Sequence, residues 1–239
     1  MSPMNGSEVE RPSPSKSTLR EYFESICVAV ILALFIRTFV VQAFKIPTGS
    51  MIDNLLIGDH LLVNKMVYAP TATAPERTIM PVKDIHRGDV IVFKYPSEPE
   101  RDFIKRVIGL PGDAIRIEDK TVYINGEPLQ EDYVYYPPGS DGEEGYSDYR
   151  RDNMPEMVVP QDQFFVMGDN RDNSADSRFW GTLPRELVKG RALIIYWSFE
   201  APGEAYLATN MVDRLRGWGW MLVNFYDKTR KDRFFRLVR

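Results

Sequence analysis

One long apolar run lies near the N-terminus of the chain. Between positions 26 and 44 only three of 19 residues are polar, and as a helix this run would extend about 28 Å, at roughly 1.5 Å per residue. A helix buried in a protein core usually carries a polar stripe, but residues 26–36 are apolar on every side. The pattern therefore predicts a transmembrane anchor helix at residues 22–44, after a disordered tail at residues 1–21.

The charges on either side of this run predict its orientation in a membrane. Three basic residues lie between positions 11 and 20, whereas Lys45 alone follows the run closely. The positive-inside rule then places the tail in the cytoplasm and residues 45–239 on the outer, periplasmic or extracellular side of an inner or cytoplasmic membrane. A cleavable export signal is the rival interpretation, but Arg37 interrupts the apolar region that such a signal needs.

Beyond the anchor, short runs of apolar and β-branched residues follow turn signals. The signals are Gly58-Asp59, Gly88-Asp89, Gly112-Asp113 and the hairpin pair Asn125-Gly126, and a further strand-like run spans Leu193–Phe199. Turns followed by such runs are typical of β-hairpins. Residues 45–239 are therefore predicted to form a mainly β domain with an antiparallel β-sheet.

Two polar segments are expected to interrupt this sheet, and an aromatic and basic segment follows it. Residues 69–87 are rich in Pro and Thr, and residues 133–153 combine Tyr, Gly and acidic side chains, so both are predicted to be surface loops or insertions. The C-terminal segment, residues 213–239, mixes aromatic residues with Lys and Arg. This mixture suits contact with anionic lipid headgroups, but a basic, solvated terminal segment explains it equally well.

Composition narrows the classes of function. With 239 residues, 44% hydrophobic and 27% charged, the chain is long enough for one globular domain with appendages. A net charge of -4 gives no basic field, so nucleic acid is not an expected partner. One cysteine and two histidines are too few for an intrachain disulfide or a structural zinc site.

Ser50 is the first residue that suggests chemistry. It lies in the turn of residues 48–51, where Gly49 allows a tight backbone conformation that presents a hydroxyl group. A Thr-Gly-Ser sequence is more often only a turn, and a nucleophilic serine also needs a base. His60, His86 and the lysines are the groups available for that role.

Lys105 is the most unusual of these lysines. Strand alternation places it between apolar neighbours in the run from Phe103 to Ile108. An ordinary lysine, with a pKa of about 10.4, is almost fully protonated at pH 7, but desolvation lowers the pKa by roughly 3 units, into the range of a general base. The strand pattern by itself, however, favours a lysine that reaches solvent from a half-buried strand.

Residues 167–181 form a polar stretch, MGDNRDNSADSRFWG, that is too polar for a core strand. A calcium loop would need glycine at its sixth position, where Ser177 stands. A hydrogen-bonded loop fits better, in which Asp176 and Arg178 pair and Ser174 holds another side chain in place.

In this order after an apolar run, these features resemble the type I signal peptidases of bacteria, the membrane-anchored Ser-Lys proteases that remove signal peptides from exported proteins. The most specific matches are GSM at 49–51, RGDVIVF at 87–93, FIKRVIGLPGD at 103–113 and GDNRDNSADSR at 168–178. The resemblance covers nearly the whole chain from the apolar run onward. One departure is visible, because the family usually follows its Ser-Met with x-Pro-Thr-Leu and this chain has Ile52-Asp53-Asn54-Leu55.

The resemblance implies a role for each matching residue. Ser50 would be the nucleophile and Lys105 the general base, and the Ser50 amide with the Thr48 hydroxyl would form the oxyanion hole. Ser174 would orient the Lys105 amine through a hydrogen bond. The ion pair of Asp176 and Arg178 would brace the loop that carries Ser174. Seven further side chains match positions that line shallow pockets for small residues at the first and third places before the cut: Phe44, Ile46, Pro47, Met51, Leu55, Phe103 and Ile104.

These roles predict an endopeptidase that cuts preproteins after a small-x-small motif and needs no cofactor or metal. Its expected partners are signal-peptide-bearing preproteins, the lipid bilayer and the export machinery, and the chain is expected to be a monomer. Two alternatives stay open. One is a hydrolase in which Ser50 is paired with His60 or His86 and an aspartate, and the other is an anchored β-domain that binds envelope proteins or peptides without cutting them.

Overall fold

The computed structural model describes most of the chain. The described residues are 18–66, 84–137, 149–200, 217, 219–221 and 223–238. Most of the predicted tail and of the predicted loop at 69–87 therefore lies outside the described residues, as do the middle of the predicted insertion at 133–153 and the first residues of the C-terminal segment. The chain divides into two compact units, one that ends at Thr38 and one from Phe39 to Arg239.

The N-terminal element is an apolar helix. Helix α1 spans Thr18–Phe35 and continues as a π-helical segment at Ile36–Val40; together these 23 residues are long and apolar enough to cross a membrane. The helical region begins and ends earlier than the predicted anchor at 22–44, because Val41–Lys45 forms a strand that pairs along its whole length with a second strand. An apolar run of this kind does not distinguish helix from strand by its pattern alone.

The described part of the second unit contains twelve strands in two sheets. The strands are β1 Val41–Lys45, β2 Asp59–Asn64, β3 Val90–Tyr95, β4 Glu98–Gly109, β5 Ala114–Glu118, β6 Thr121–Ile124, β7 Glu127–Pro128, β8 Met154–Val158, β9 Gln163–Met167, β10 Leu183–Pro184, β11 Val188–Ser198 and β12 Arg236–Leu237. The large sheet has the order β1-β2-β11-β3-β4-β9-β10, with β12 paired to β11, and the small sheet has the order β7-β6-β5-β8. All pairings within the sheets are antiparallel, which confirms the predicted fold class.

Short helical segments connect some of these strands. They are α2 Tyr149–Asp152, α3 Ser177–Trp180 and α4 Phe225–Lys228, with 3-10 turns at Arg171–Asn173, Arg185–Leu187 and Lys231–Arg233. The segment Arg171–Asn173 and helix α3 both belong to the predicted polar loop, so that loop is ordered by local helical turns.

The three predicted Gly-Asp turns share one geometry. Gly58, Gly88 and Gly112 have φ of +92°, +89° and +88°, a left-handed conformation that glycine adopts without strain. Each following aspartate accepts a hydrogen bond from the backbone amide three residues before it, at 2.8, 2.9 and 2.6 Å, and this bond closes the turn before the next strand. The predicted hairpin is also present, because Asn125-Gly126, with φ of +52° and +87°, joins β6 to β7.

One buried cluster supports the predicted Ser50 turn. It joins Ile46, Met51 and Leu55, all from the segment of residues 46–59 between β1 and β2 that is called the Ser50 turn below, to apolar side chains of β2, β3, β4 and β11. These three residues are exposed by 2%, 0% and 1%. Since full burial of a large aliphatic side chain stabilises a fold by about 1.5–3 kcal/mol, the turn is firmly attached to the large sheet.

The described start of the predicted insertion at 133–153 is attached to the polar loop. The Tyr135 amide donates to the Asp169 carbonyl at 2.8 Å, and the Tyr135 carbonyl accepts from the Arg171 amide at 3.2 Å. Arg171 also pairs with the carboxylate of Glu131, and both side chains are buried. The described start of the insertion is therefore half-buried and is held against the polar loop by backbone hydrogen bonds.

The described part of the C-terminal segment packs into the second unit. Strand β12 pairs with β11, and the side chain of Arg233, 5% exposed, forms an ion pair with Asp59 at 2.6 Å. Arg230 donates to a backbone carbonyl of the turn before β2 at 3.1 Å. Arg233 is therefore buried and ion-paired rather than solvated, and Arg230 is half-buried, while contact of the segment with lipid stays a prediction.

Candidate active site

Ser50 lies in a turn whose two ends are tied together. The Ile46 amide donates to the Asp59 carbonyl at 2.9 Å, and the Gly58 amide donates to the Ile46 carbonyl at 3.0 Å. Because the ends are paired and the apolar side chains between them are buried, the backbone has little freedom. Ser50 itself is 8% exposed.

Lys105 lies in β4 and contacts Ser50 directly. Its Nζ is 2.7 Å from the Ser50 Oγ and donates a hydrogen bond to the Ile104 carbonyl at 3.0 Å. Strand β4 lies between β3 and β9, so the residues from Ile104 to Gly109 are all buried, and Lys105 is only 4% exposed. The strand pattern alone favoured a lysine side chain that reaches solvent, and this prediction is therefore wrong.

The surroundings of Lys105 lower the pKa of its amine from 10.5 to about 8. Burial is the main cause, because an ammonium group that is removed from water loses the hydration that stabilises its charge. The charges of Asp176 and Asp169 oppose this effect, and the charge of Arg178 adds to it. A substantial fraction of the molecules therefore carries a neutral amine near pH 8, and such an amine can accept a proton.

Asp176 and Arg178 form the predicted pair within the polar loop. The buried Asp176 carboxylate accepts from Arg178 Nε at 2.8 Å and from the Gly168 amide at 3.0 Å, and it caps helix α3. Burial by itself raises the pKa of this carboxyl group, but the hydrogen bonds and charge of Arg178 keep the pKa of Asp176 below its usual value. Arg178 also donates to the Arg171 carbonyl at 2.7 Å, so the loop is cross-linked to itself.

Ser174 is buried but does not hold the lysine. It is 7% exposed, and its hydroxyl lies close enough to Asp176 to help lower the pKa of that carboxyl group, but it makes no hydrogen bond of good geometry within the described part of the chain. The predicted hydrogen bond from Ser174 to the Lys105 amine is therefore not formed in this structure. The amine contacts Ser50 and the Ile104 carbonyl instead.

Gly168 is a site residue that the sequence analysis missed. A Cβ at this position would lie 2.3 Å from the Ser174 Oγ and 2.5 Å from the Ser50 carbonyl oxygen, so a side chain does not fit. Glycine therefore allows the polar loop to approach the Ser50 turn. The available signal was the position of this glycine, directly after the apolar β9 and at the start of the polar motif.

A cleft of about 490 Å³ opens at Ser50 and Lys105. Its lining includes four predicted residues, Pro47, Thr48, Phe103 and Ile104. Four other lining residues were not expected from the sequence: Arg101, Asp102, Asn173 and Ala175. Each is adjacent to, or one residue removed from, a predicted residue, so sequence proximity was the only signal that could have indicated them.

The remaining predicted pocket residues lie in or against the core. Ile46, Met51 and Leu55 are buried in the cluster that supports the turn, and Phe44 packs against that cluster. None of the four is among the described residues that line the cleft. In this structure they fix the shape of the Ser50 turn from its inner side.

Neither histidine is placed to serve as the base for Ser50. The His60 ring stacks on Trp197 with centroids 4.7 Å apart, and burial lowers the pKa of His60 to about 4. The side chain of His86 is 70% exposed and lies 3.9 Å from Asp89. Since Ser50 Oγ contacts Lys105, the geometry does not support the alternative hydrolase with a Ser-His pair.

A serine hydroxyl against a buried amine, in an open cleft, is an arrangement found in serine hydrolases. Residues 19–197 match the family model described as "Signal peptidase, peptidase S26". The signal peptidase I of Pseudomonas aeruginosa is 35% identical over an alignment of 229 positions, gaps included, that covers 82% of this chain and 81% of that protein. The signal peptidase I of Leptolyngbya laminosa is 42% identical over 196 residues, 79% of this chain and 84% of that protein.

A solved structure of a signal peptidase I from Enterococcus faecalis covers 46% of this chain and 97% of its own, at 33% identity and with a TM-score of 0.38, too low for an argument from overall shape. The family match and the relatives therefore determine the family of this chain. The chain belongs to the signal peptidase family, peptidase S26, and is a serine endopeptidase. Its apolar helix at Thr18–Val40 fits membrane anchoring.

Proposed function

We propose that this protein removes N-terminal signal peptides from exported preproteins by cutting after a small-x-small motif, with Ser50 as nucleophile and Lys105 as general base. The contact of 2.7 Å between Ser50 Oγ and Lys105 Nζ carries the proposal, because a nucleophile and its base must lie within about 2.6–3.2 Å. The substrate class follows from the relatives, which are named signal peptidase I.

The reaction begins with a neutral Lys105. Its amine takes the proton of the Ser50 hydroxyl while the oxygen attacks the scissile carbonyl, and the Ser50 amide and the Thr48 hydroxyl bind the oxyanion. The lysine ammonium then gives its proton to the departing amine, which leaves an acyl-enzyme on Ser50. In the second half Lys105 deprotonates a water molecule that hydrolyses the ester, and the free serine is restored.

Apolar walls in the cleft support the proposed binding of apolar residues before the cut. Pro47, Phe103 and Ile104 give the cleft these walls, and Thr48 is exposed at its surface. Each oxyanion donor is expected to contribute about 2.7–4 kcal/mol to transition-state stabilisation, so Thr48 affects kcat as well as binding.

The enzyme works at the membrane in this proposal. The helix at Thr18–Val40 crosses the inner or cytoplasmic membrane once, the tail lies in the cytoplasm, and the β domain lies on the outer side. Its partners are preproteins, the lipid bilayer and the export machinery, and it acts as a monomer. Signal peptides arrive within the bilayer, so a cut at its outer surface requires a nucleophile that follows the anchor closely in the chain.

The test is cleavage of a preprotein by the purified full-length protein in detergent. We expect one cut, directly after the small-x-small motif, identified by sequencing the new N-terminus. Ser50→Ala and Lys105→Ala are each expected to lower kcat/KM by about 10⁴-fold or more, as loss of a nucleophile or its base does elsewhere. His86→Ala is the control and keeps its activity. Cleavage by Lys105→Ala, or binding of the preprotein by the parent without a cut, would contradict the proposal.

A further inference from the structure

The C-terminal segment supplies a buried arginine to the end of the Ser50 turn. Arg233 is 4% exposed and Asp59 is fully buried. The Nε and Nη2 of Arg233 donate to the two carboxylate oxygens of Asp59 at 3.1 and 2.6 Å. Two parallel charge-assisted hydrogen bonds fix the orientation of both partners as well as their distance, so this part of the segment is locked to the start of β2.

The same guanidinium also holds the backbone of the turn. Arg233 Nη2 donates to the Asn54 carbonyl at 2.7 Å, and the carboxylate of Asp59 accepts from the Leu56 amide at 2.8 Å. One arginine and one aspartate therefore satisfy two backbone groups between Ser50 and β2. A substitution at Arg233 would leave several of these polar groups buried and without a partner.

The side chain of Asn54 makes a connection of its own. Its Nδ2 donates to the Asp169 carboxylate at 2.8 Å. Asp169 also accepts two hydrogen bonds from Arg106, each of 2.7 Å, and Arg106 directly follows Lys105 in β4. Asn54 thus connects the turn of the proposed nucleophile to the strand of the proposed base.

The residue after Asp169 contacts the nucleophile itself. The Asn170 amide donates to the Ser50 carbonyl at 3.1 Å, and the Asn170 side chain donates to the Gly49 carbonyl at 3.0 Å. The position of the polar loop therefore determines the position of the Ser50 backbone, and Asn54 is one of the groups that hold this loop through Asp169.

We propose that Asn54 and Arg233 are positioning residues that fix the distance between Ser50 Oγ and Lys105 Nζ. Neither is among the described residues that line the cleft, so both act through the turn rather than on the substrate. The inference rests on the proposed roles of Ser50 and Lys105. It also assigns a task to position 54, where the sequence departs from the pattern of the family that it resembles.

An amide suits position 54 because it donates to a carboxylate and carries no charge. Aspartate at this position would place a second carboxylate against Asp169, and like charges repel at this distance. Alanine would remove one donor from Asp169 without adding a charge. Threonine keeps a hydroxyl donor on a shorter side chain, so Asn54→Thr is expected to lose less activity than Asn54→Ala.

The experiment measures kcat, KM and the pH dependence of kcat/KM for Asn54→Ala, Asn54→Thr and Arg233→Lys in the full-length protein in detergent. We expect kcat to fall about 10- to 100-fold in Asn54→Ala and Arg233→Lys, because a displacement of about 1 Å can cost 100-fold, while KM changes less than threefold. The acid limb of kcat/KM moves to higher pH as water reaches Lys105, whose charged neighbours Asp176, Asp169 and Arg178 are unchanged.

Arg87→Lys is the matched control. Arg87 pairs with Asp113, the aspartate of another Gly-Asp turn, at 3.1 Å. Both Arg87→Lys and Arg233→Lys keep the positive charge and lose the planar fork of donors. Both are therefore expected to lower the midpoint of thermal unfolding, but only Arg233→Lys lowers kcat.

The outcomes separate this inference from the proposed function. An unchanged kcat in Asn54→Ala, or the same loss of kcat in Arg87→Lys as in Arg233→Lys, overturns the positioning role, since a purely structural effect would then be sufficient. Failure of the proposed function gives a different result, namely cleavage by Lys105→Ala. A folded Arg233→Lys with reduced kcat, unchanged KM and a shifted acid limb supports the inference.

Discussion

Lys105 shows how activity and stability oppose each other at the scale of a single residue. The unfolded chain holds a proton on this amine up to about pH 10.5, whereas the folded chain releases it at about pH 8. Below pH 8 both states are protonated, so the cost of burying the charge is fully present. Between pH 8 and 10.5 the unfolded state binds more protons, so the contribution of this residue to stability rises with pH.

A neutral side chain of similar length removes that cost. A fall in pKa from 10.5 to about 8 corresponds to about 3 kcal/mol of lost stability. A neutral substitute regains this stability, minus the contribution of the hydrogen bond between Lys105 and Ser50, which it loses. We expect Lys105→Met to be inactive but more stable than the parent at pH 7, by about 1–3 kcal/mol, with a difference that shrinks between pH 8 and 10.5. Thermal unfolding of both proteins across this pH range measures it. If Lys105→Met is less stable than the parent at pH 7, or if the difference does not depend on pH, then burial of the charged Lys105 does not destabilise the folded protein.

At the scale of elements, the site depends on the close approach of the Ser50 turn and the polar loop. Their contact is made at Gly168, where a Cβ would meet both Ser174 and the backbone of Ser50 within 2.5 Å. Such contacts are shorter than non-bonded atoms allow, so one element would have to move. The polar loop is cross-linked by Asp176 and Arg178 and the turn is packed on the large sheet, so either element would have to shift against its own packing.

Gly168→Ala is therefore expected to separate Ser50 from Lys105. We expect kcat for preprotein cleavage to fall about 100-fold or more, with a smaller change in KM. Gly219→Ala is the control, because no atom of the described residues, apart from its chain neighbours and its own helix backbone, lies within 4 Å of a Cβ at that glycine, and it keeps the parent kcat. A Gly168→Ala variant with the parent kcat would mean that the turn tolerates the added carbon.

Local sequence signals predicted the turns and the hairpin correctly, but they placed the end of the apolar helix at the wrong residue. The Gly-Asp turns and the Asn125-Gly126 hairpin were predictable because each depends on a conformation that these residues adopt by themselves. The end of the helix was not, since Val41–Lys45 continues the apolar pattern and becomes a strand only through pairing with β2. That pairing depends on residues about 20 positions away, which a local pattern does not contain.

At the scale of the whole molecule, the proposal requires the tail and the β domain to lie on opposite sides of a membrane. The chain has one cysteine, Cys27 in helix α1, so a Cys27→Ser background allows single labels elsewhere. We expect an impermeant maleimide to label Gln130→Cys, at an exposed position two residues after the edge strand β7, in bacterial cells whose outer envelope is opened by osmotic shock while the inner membrane stays intact. Ser13→Cys is expected to react only after the membrane is permeabilised. The reverse pattern would contradict the proposed orientation.

The sequence by itself determined the apolar helix and the antiparallel β class, because these depend on local composition and on short motifs, whereas the pairing of Ser50 with Lys105 was implied by the resemblance of those motifs to the signal peptidases. Only the tertiary structure decided that Lys105 is buried, that Ser174 does not bond it, and that Gly168 limits the approach of the loop. It also brought Asn54 to Asp169 and Arg233 to Asp59 across 115 and 174 residues. Burial and such distant contacts arise from packing between elements, so no single stretch of sequence records them.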